Sequence, residues 1–316
     1  MPGTKISDIL TPDVWNQYGR AAVLEKNAFW QSGIVSRVEN ITLPTGGATV
    51  HLPFFGRLTG DAETLSDSNP LAVDKISAGQ QIAVVVARGK AWGTNDLAGL
   101  LAGADPLGAL IEQLASYWAT QDQKELIATL EGVFASASMD SNKLDISGAS
   151  GAAGVLSAAA FIDACAKMGD ARDALTTVAM NSAAEAKLAK DDLIQYQTPS
   201  GQSGRVPYYL GKRVIVDDAL PQEGDKTTLY VFGAGAIGFV DGEVGAGAME
   251  RDRDILAGED VVSMRRRWIL HVKGTKWTGT PAGQFPTRAE LADGGNWARV
   301  FEPKAIPIIQ LKARIA

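Results

Sequence analysis

The chain has 316 residues, of which 46% are hydrophobic and 21% are charged, a composition typical of a globular protein with one large or two medium domains. Its formal net charge of -6 argues against a protein that binds nucleic acid through a broadly basic surface. The single cysteine, Cys165, excludes a disulfide within the chain and a thiolate metal site. The sequence has no apolar run of about 18 residues and no signal-peptide pattern at its start, so we expect a protein that is made and used in a reducing cytoplasm, or released from one.

An N-terminal arm is predicted over residues 1–40. Within it, Thr11–Asp13 places a proline directly after a capping residue, which predicts a helix that runs to Gln31. Trp15 and Tyr18 lie near one face of this helix and are candidate assembly contacts. Because the segment ahead of the helix is too short to fold alone, we expect the arm to lie on another surface.

A two-stranded hairpin is predicted next. Apolar and polar residues alternate in Ala48–Phe54 and again in Gln80–Lys90, which is the pattern of half-buried strands. Pro53 places the first strand at the edge of a sheet, because proline has no N–H group to donate to a further neighbour.

The connection between these strands, Gly56–Gly79, is long and lacks a periodic core, which is typical of functional loops. The two strands and this connection form the predicted extended-loop hairpin, residues 41–91. Because an isolated hairpin is only marginally stable in water, we expect it to lie against a partner surface. Leu65 and Lys75 are therefore candidate assembly contacts. The alternative is a mobile surface loop without a partner.

The longest predicted element is a helix over Asp105–Ser136, which opens with a capping aspartate followed by proline. The apolar residues of Leu107–Trp118 fall on one face and those of Leu126–Phe134 on another, with the polar stretch Gln121–Glu125 between them. Such a helix either crosses two parts of one core, or packs its own domain with one face and something else with the other. Trp118 is a candidate assembly contact in the second case.

Serine, glycine and alanine dominate Ser136–Gly154, which we interpret as a linker. Helices and strands then alternate, which predicts a compact α/β subdomain over residues 151–255. Its predicted elements are a helix over Ser157–Met168, a strand over Leu175–Met180, a helix capped by Asn181, and strands over Arg213–Val216 and Thr227–Phe232.

Gly233–Gly238 matches the G-x-G-x-x-G pattern of dinucleotide sites and follows a predicted strand. That pattern needs a helix next, whose N-terminus holds the pyrophosphate. Residues 239–247 are broken by glycines and cannot begin a long helix. We therefore favour a glycine-rich strand and bend, with a dinucleotide-binding enzyme as a remote alternative.

A long strand is predicted over Val261–Lys273, with Arg266 on its apolar face. A buried arginine is tolerated when a carboxylate pairs with it, so Arg266 is a candidate assembly contact that reaches a partner across an interface. The chain closes with the extended segment Val300–Leu311, which Pro303 and Pro307 are expected to keep at a sheet edge.

The sequence contains no serine–histidine–aspartate spacing, zinc pattern or P-loop. Its two histidines, His51 and His271, lie within predicted strands and are interpreted as structural. We therefore predict no catalytic residues, no cofactor and no metal, and a protein that is not an enzyme.

Six stretches, in this order, carry a resemblance to a known family. They are Ile6–Trp15, Asp61–Ser68, Ala87–Leu97, Asp122–Phe134, Val231–Gly238 and Trp297–Pro303. On these residues the chain resembles the major capsid (coat) proteins of tailed bacteriophages, which have the Hong Kong phage capsid fold. The resemblance implies an α+β fold with an N-terminal arm (1–40), an extended-loop hairpin (41–91), a peripheral domain with a spine helix (92–150), an axial α/β domain (151–255) and a return to the peripheral domain (256–316).

The same resemblance implies a function and a set of partners. Copies of the chain would form hexamers and pentamers of an icosahedral shell that encloses double-stranded DNA and contacts it without sequence specificity. A separate scaffolding protein, a portal and, as in some relatives, a decoration protein would take part, in the cytoplasm of the host bacterium, and the product would be the virion capsid. An encapsulin-like compartment with the same fold is the alternative.

Overall fold

The computed structural model describes residues 28–38, 43–44, 46–58, 60–65, 71, 73–96, 106–197, 205–242 and 249–316. Most of the predicted arm, including Trp15 and Tyr18, lies outside these residues. So does the predicted cap of the long helix, Asp105.

Helices are short in this fold, with one exception. The α-helices of the described chain are α1 (Ala28–Gln31), α2 (Pro106–Ala135), α3 (Ala158–Ala166), α4 (Ser182–Lys190) and α5 (Arg288–Ala292). The 30-residue α2 confirms the predicted long helix. Each of the next three begins at a side-chain cap that accepts from a backbone N–H of the first turn, supplied by Ser157, Asn181 and Thr287.

Strands account for most of the remaining regular structure. They are β1 (Val35–Arg37), β2 (Thr49–Phe55), β3 (Ala78–Asn95), β4 (Lys143–Asp145), β5 (Leu175–Met180), β6 (Ile194–Gln197), β7 (Val206–Tyr209), β8 (Lys212–Val216), β9 (Gln222–Glu223), β10 (Lys226–Gly233), β11 (Ile237–Gly242), β12 (Met249–Asp254), β13 (Glu259–Val272), β14 (Thr275–Trp277), β15 (Trp297–Arg299) and β16 (Ile308–Arg314).

The strands form two sheets. The first has the order β1-β11-β13-β3-β14-β15, with β12 paired to β13 and β2 paired to β3. Its centre is the long antiparallel pairing of β13 with β3. The second has the order β4-β16-β10-β5-β8-β7-β6, with β9 paired to β10. The connection between the parallel neighbours β5 and β8 contains α4, β6 and β7, and α3 packs against β16.

Between Leu114 and Phe134, apolar side chains from both faces of α2 are buried inside the subunit. Trp118 packs edge-on against Trp268 of the first sheet, with ring centroids 6.4 Å apart. Near the other end of the helix, Phe134 packs against Tyr230 of the second sheet, with centroids 5.6 Å apart. All four side chains belong to one hydrophobic cluster. The two faces therefore arise because α2 crosses two parts of one core, the first of the two alternatives above.

The predicted linker is ordered. A 3₁₀ turn over Ala137–Asn142 leads directly into β4, which pairs in parallel with β16. Asn142 is 1% exposed, and its amide donates to the carbonyl oxygens of Pro303, Ile306 and Ile308 at 3.1 to 3.3 Å. The small residues that suggested a linker therefore belong in part to the packed fold.

The closing segment also differs from expectation. Strand β16 lies inside the second sheet, between β4 and β10. Pro303 and Pro307 both precede the strand, so they do not interrupt its hydrogen bonds. In the predicted axial range 151–255, β11 and β12 pair in the first sheet, whereas β16 of the returning range pairs in the second. The division into domains stays a prediction.

Candidate assembly surfaces

The β2–β3 hairpin presents a row of large apolar side chains to solvent. Phe55, Leu58, Leu65, Leu71, Val73 and Ile76 are between 57% and 94% exposed. Several large apolar side chains exposed on one connection mark a candidate surface for contact with another molecule. The structure places the predicted contacts Leu65 and Lys75 on this exposed connection.

The root of the hairpin is anchored to the subunit. Phe54 of β2 packs edge-on against Phe301, with ring centroids 4.7 Å apart. Beside this pair is a groove of about 730 Å³, lined among others by Phe55, Arg57 and Lys304. Pro53 is tolerated because, among the described strands, β2 pairs with β3 alone. The hairpin therefore projects from a fixed base.

A second exposed apolar tip lies at the turn between β12 and β13. Ile255 is 83% and Leu256 is 99% exposed. One oxygen of Asp254 accepts from the backbone N–H groups of Leu256 and Ala257, which holds the turn in shape. Sequence analysis missed this tip. The sequence does carry a signal for it, because two large apolar residues directly follow five residues of alternating charge, Glu250–Asp254.

Salt bridges hold the strands below this tip together. Arg251 donates to both oxygens of Asp260 at 3.0 Å, and Arg253 donates to Asp260 at 2.8 Å and to Asp96 at 2.6 Å. The tip is therefore presented on a preorganised stem, and docking would cost little ordering entropy.

Arg266 is buried as predicted, but its carboxylate partner lies in the same chain. Its Nη1 donates to the two oxygens of Asp122 of α2 at 3.2 and 3.0 Å. Its guanidinium carbon lies 5.6 Å from the ring centroid of Trp118 and 5.1 Å from that of Trp268. Arg266 is 3% and Trp118 is 1% exposed, so both side chains lie in the interior of the subunit.

A second carboxylate of α2, Glu125, binds two arginines. Arg88 of β3 donates to both of its oxygens at 3.0 Å, and Arg288 of α5 donates to one of them at 2.9 and 3.2 Å. Asp122 and Glu125 belong to the polar stretch that separates the two apolar faces of the helix. Their spacing of three residues places them on one side of the helix, a signal that the sequence analysis did not use.

His271 is structural in this fold. Burial lowers its pKa to about 4, so the imidazole is neutral at physiological pH. The Oε1 atom of Gln81 already accepts the N–H of Gly274 at 2.7 Å. An amide oxygen can only accept hydrogen bonds. The Nε2 atom of His271, which lies 3.1 Å from this oxygen, must therefore carry the hydrogen and donate it.

The glycine pattern has no dinucleotide geometry. Gly235 adopts a φ of +61° in the turn after β10, and the next element is the strand β11, not a helix. Among the described residues, the element that follows the glycines therefore does not provide the helix N-terminus that a dinucleotide site needs. The strand-and-bend interpretation is confirmed.

Comparisons with known proteins identify the family. The family model described as Gp13-like, "Major capsid protein 13-like", matches residues 58–305. A curated major capsid protein of Bacillus phage SPP1 is 42% identical over an alignment that covers 100% of this chain and 99% of that protein. The chain belongs to the major capsid protein 13-like family. The predicted role as a capsid shell protein of a tailed phage is confirmed.

Solved structures with little sequence identity share the fold. The capsid of an empty GTA particle aligns with a TM-score of 0.56 at 14% identity, covering 91% of this chain and 90% of that one. The head structure of Helicobacter pylori bacteriophage KHP40 aligns with a TM-score of 0.53 at 11% identity, covering 89% of this chain and 86% of that one. The predicted α+β tailed-phage capsid fold is thereby confirmed.

The encapsulin of Synechococcus elongatus PCC 7942 has the same fold, with a TM-score of 0.52 at 11% identity over 89% of this chain and 85% of that one. At such identity the likeness concerns the fold alone, whereas the SPP1 relative matches end to end at 42%. A phage capsid is therefore favoured over the encapsulin alternative. No described helix has both the length and the apolar character needed to span a bilayer.

Proposed function

We propose that copies of this chain assemble into hexamers and pentamers of an icosahedral shell that encloses double-stranded DNA. The observation that carries the proposal is the uncovered apolar row of the β2–β3 hairpin, in a chain that aligns end to end with a major capsid protein. A single subunit leaves this row in water. A neighbouring copy that covers the row would remove the free-energy cost of exposing apolar surface to water.

The hairpin would act by lying over the next subunit of the same ring. Covering one large apolar side chain contributes roughly 1.5–3 kcal/mol, from which the entropy of association must be subtracted. One such contact is therefore weak, and stability comes from repeating it. Because the covering and covered surfaces differ, the contact is heterologous and closes into rings when the rotation permits.

The second sheet is proposed to meet its symmetry mates at the axis of each ring, as the axial domain. Its outermost strands, β6 and β7, support this role. Tyr196 on β6 is 51% exposed, and Leu210, in the turn after β7, is 47% exposed. The exposed tip at Ile255 and Leu256 lies in the other sheet, so it is available for contacts elsewhere on the shell.

Further partners are proposed from the same family membership. They are a separate scaffolding protein, a portal, a decoration protein, and DNA that is contacted without sequence specificity. The net charge of -6 suits a container that encloses DNA without binding it tightly. Assembly is proposed to occur in the host cytoplasm, and the chain is proposed to have no catalytic role.

Electron microscopy with light scattering tests the proposal. The full chain is expressed alone and together with the scaffolding protein encoded beside it, and both samples are imaged in negative stain. Closed shells, or rings of capsomer size, are expected in at least one sample. A monodisperse monomer in both would overturn the proposal.

A further inference from the structure

A free strand edge lies at the end of β3 that is remote from the hairpin. The outer side of β3 is covered by β2 along residues 78–84, and its inner side pairs with β13 along residues 85–95. Among the described strands, none pairs with the outer side of Gly89–Gly93. This stretch is therefore a sheet edge, although β3 lies in the middle of the strand order.

Alternation along β3 shows which backbone groups this edge presents. The N–H of Val85 donates outward, to the segment before β2, and the N–H of Asp96 donates inward, to the turn before β13. The pairing with β13 runs without a shift of register between them. Successive residues of a strand direct their N–H and C=O groups to opposite sides, so odd-numbered residues point outward. Within the edge these residues are Gly89, Ala91 and Gly93.

The edge is open to another backbone. Of the residues in Gly89–Gly93, Trp92 is half-buried and the other four are exposed. The stretch contains no proline and no bulge, two of the features by which sheet edges are usually protected from pairing. Its one charged side chain is Lys90, with which no described carboxylate forms an ion pair. An acidic strand is therefore favoured over a basic one.

The hairpin connection has a segment that suits this edge. Residues 56–79 contain four carboxylates and two cationic side chains, a formal charge of -2. Within them, Val73 and Ile76 are of the β-branched type that favours strands, and they are 94% and 63% exposed. The segment Val73–Ile76 belongs to no helix or strand and makes no backbone hydrogen bond to another described residue. Its backbone groups are therefore available to a partner.

This segment cannot reach the free edge of its own subunit. Ala91 lies 13 residues beyond Ala78, the first residue of β3, which corresponds to about 43 Å at about 3.3 Å per residue. Val73 lies only five residues before Ala78, and five residues span at most about 18 Å. A strand from Val73–Ile76 can therefore be added to this edge only by a second copy.

We propose that Val73–Ile76 of one copy adds as a strand to the edge Gly89–Gly93 of the next copy. The inference rests on the proposed shell function and names the surface that receives the hairpin. The donor segment and the receiving edge lie at opposite ends of β3. The contact is therefore head-to-tail, and it can repeat from copy to copy around a ring.

The side chains agree with a parallel register. Asp74 and Ile76 lie on one face of an added strand, because they are two residues apart. Lys90 and Trp92 share one face of β3 for the same reason. The register that places Asp74 beside Lys90 then places Ile76 beside Trp92. One ion pair and one apolar contact accompany the backbone hydrogen bonds.

Hydrogen–deuterium exchange compares unassembled subunits with shells of the natural chain. Peptides that cover Gly89–Gly93 should exchange about tenfold more slowly in shells, because their outward amides become hydrogen-bonded. Peptides of β10, which lies inside the second sheet, are the internal control and should not change. Shells whose edge peptides exchange as in the subunit would overturn the inference and leave the shell function intact. Absence of shells would overturn both.

Charge reversal tests the occupant. Lys90→Glu and Asp74→Lys should each raise the subunit concentration at which shells form by about fivefold, and the double variant should restore it. Lys167→Glu, at an exposed position after α3, is the control and should assemble as the natural chain does. Normal assembly of both single variants, or a double variant no better than the single ones, would overturn Val73–Ile76 as the added strand.

A proline tests the backbone contact itself. Ala91→Pro removes an outward N–H that no described backbone group of the same subunit accepts, so the subunit should fold and fail to form stable shells. Ala91→Ser keeps this N–H and should assemble. Normal shells from a folded Ala91→Pro variant would overturn the inference. If the variant does not fold, the exchange measurement on the natural chain decides.

Discussion

Gly132 of α2 lies directly against the backbone oxygen of Leu291 at the end of α5. A methyl group at this position would overlap that oxygen and would also meet the indole ring of Trp297. The same oxygen accepts the indole N–H of Trp297 at 2.8 Å. The glycine therefore allows three elements to meet where an alanine would force them apart.

Replacing Gly132 by alanine should destabilise the subunit, although alanine favours helices by about 1 kcal/mol over glycine. Overpacking of this kind costs about 1–3 kcal/mol, so we expect a net loss in urea unfolding. Ser116→Ala, on an exposed turn of the same helix, is the control and should be close to neutral. A more stable Gly132→Ala variant would show that the contact relaxes without cost.

The exposed row of the hairpin should matter for assembly and not for folding. Deleting Thr59–Lys75, or replacing Leu65 and Val73 by serine, should leave the unfolding free energy unchanged and prevent stable shells. Both side chains are more than 80% exposed in the subunit, so their burial must come from another copy. Ile162→Ser, at an exposed site on α3, is the control. Sedimentation and electron microscopy report the outcome, and normal shells from either hairpin variant would contradict the assigned role.

Reversing the charge of Arg266 should prevent folding. Arg266→Glu would place a third carboxylate beside Asp122 and Asp241 in the core, and breaking a buried pair typically costs about 3–5 kcal/mol. The next residue offers a matched control. Arg265 points to the opposite face and pairs with Glu250 on the surface, so Arg265→Glu should cost about 1 kcal/mol at most. Soluble yield and urea unfolding distinguish the two, and equal behaviour would contradict the buried pair.

The buried amide of Asn142 should stabilise the contact between the 3₁₀ turn Ala137–Asn142 and residues 303–308. Asn142→Asp should be worse than Asn142→Ala, because a carboxylate cannot donate to the carbonyl oxygens of Pro303, Ile306 and Ile308 and would face them with a charge. We expect about 2–4 kcal/mol for the alanine variant, more than one lost hydrogen bond. Ser150→Ala, at an exposed site, is the control for thermal unfolding.

Acid should destabilise the subunit through His271. Its pKa is lowered to about 4 from an ordinary 6.5, so its contribution is complete above pH 6.5 and is lost as the pH falls towards 4. The loss amounts to about 3 kcal/mol over this range. His271→Gln should show a smaller loss of unfolding free energy between neutral and acidic pH. An identical pH profile in the two proteins would show that the imidazole is not held neutral by burial.

The periodic elements were accessible from the sequence. The helix α2, the strands β2, β3 and β13, and the cap at Asn181 follow from local patterns that the structure confirms. The predictions that were wrong concern segments whose structure depends on partners that are distant in the sequence. The run 136–154 is locally flexible in composition and becomes ordered only because the β16 strand pairs with β4 and Asn142 finds three carbonyl groups.

The candidate contacts show the same limit. Exposure of Leu65 and Lys75 follows from their loop, and burial of Arg266 follows from strand alternation. The partner of Arg266 could not be predicted, because Asp122 is distant in sequence and resembles a solvated residue within a polar stretch. The exposed tip at Leu256 was not predicted. The alternating charges before it indicate a solvated segment, and they carry no information about the apolar pair that follows.

Glu125, which binds Arg88 and Arg288, divides α2 into two arms of unequal length. At about 1.5 Å per residue, the arm towards Pro106 is about 28 Å long and the arm towards Ala135 is about 15 Å long. The shorter arm is held at Gly132 against the backbone oxygen of Leu291 and at Phe134 against Tyr230 of the second sheet. Any displacement of the second sheet would therefore reach Glu125 and its two arginines directly through this arm.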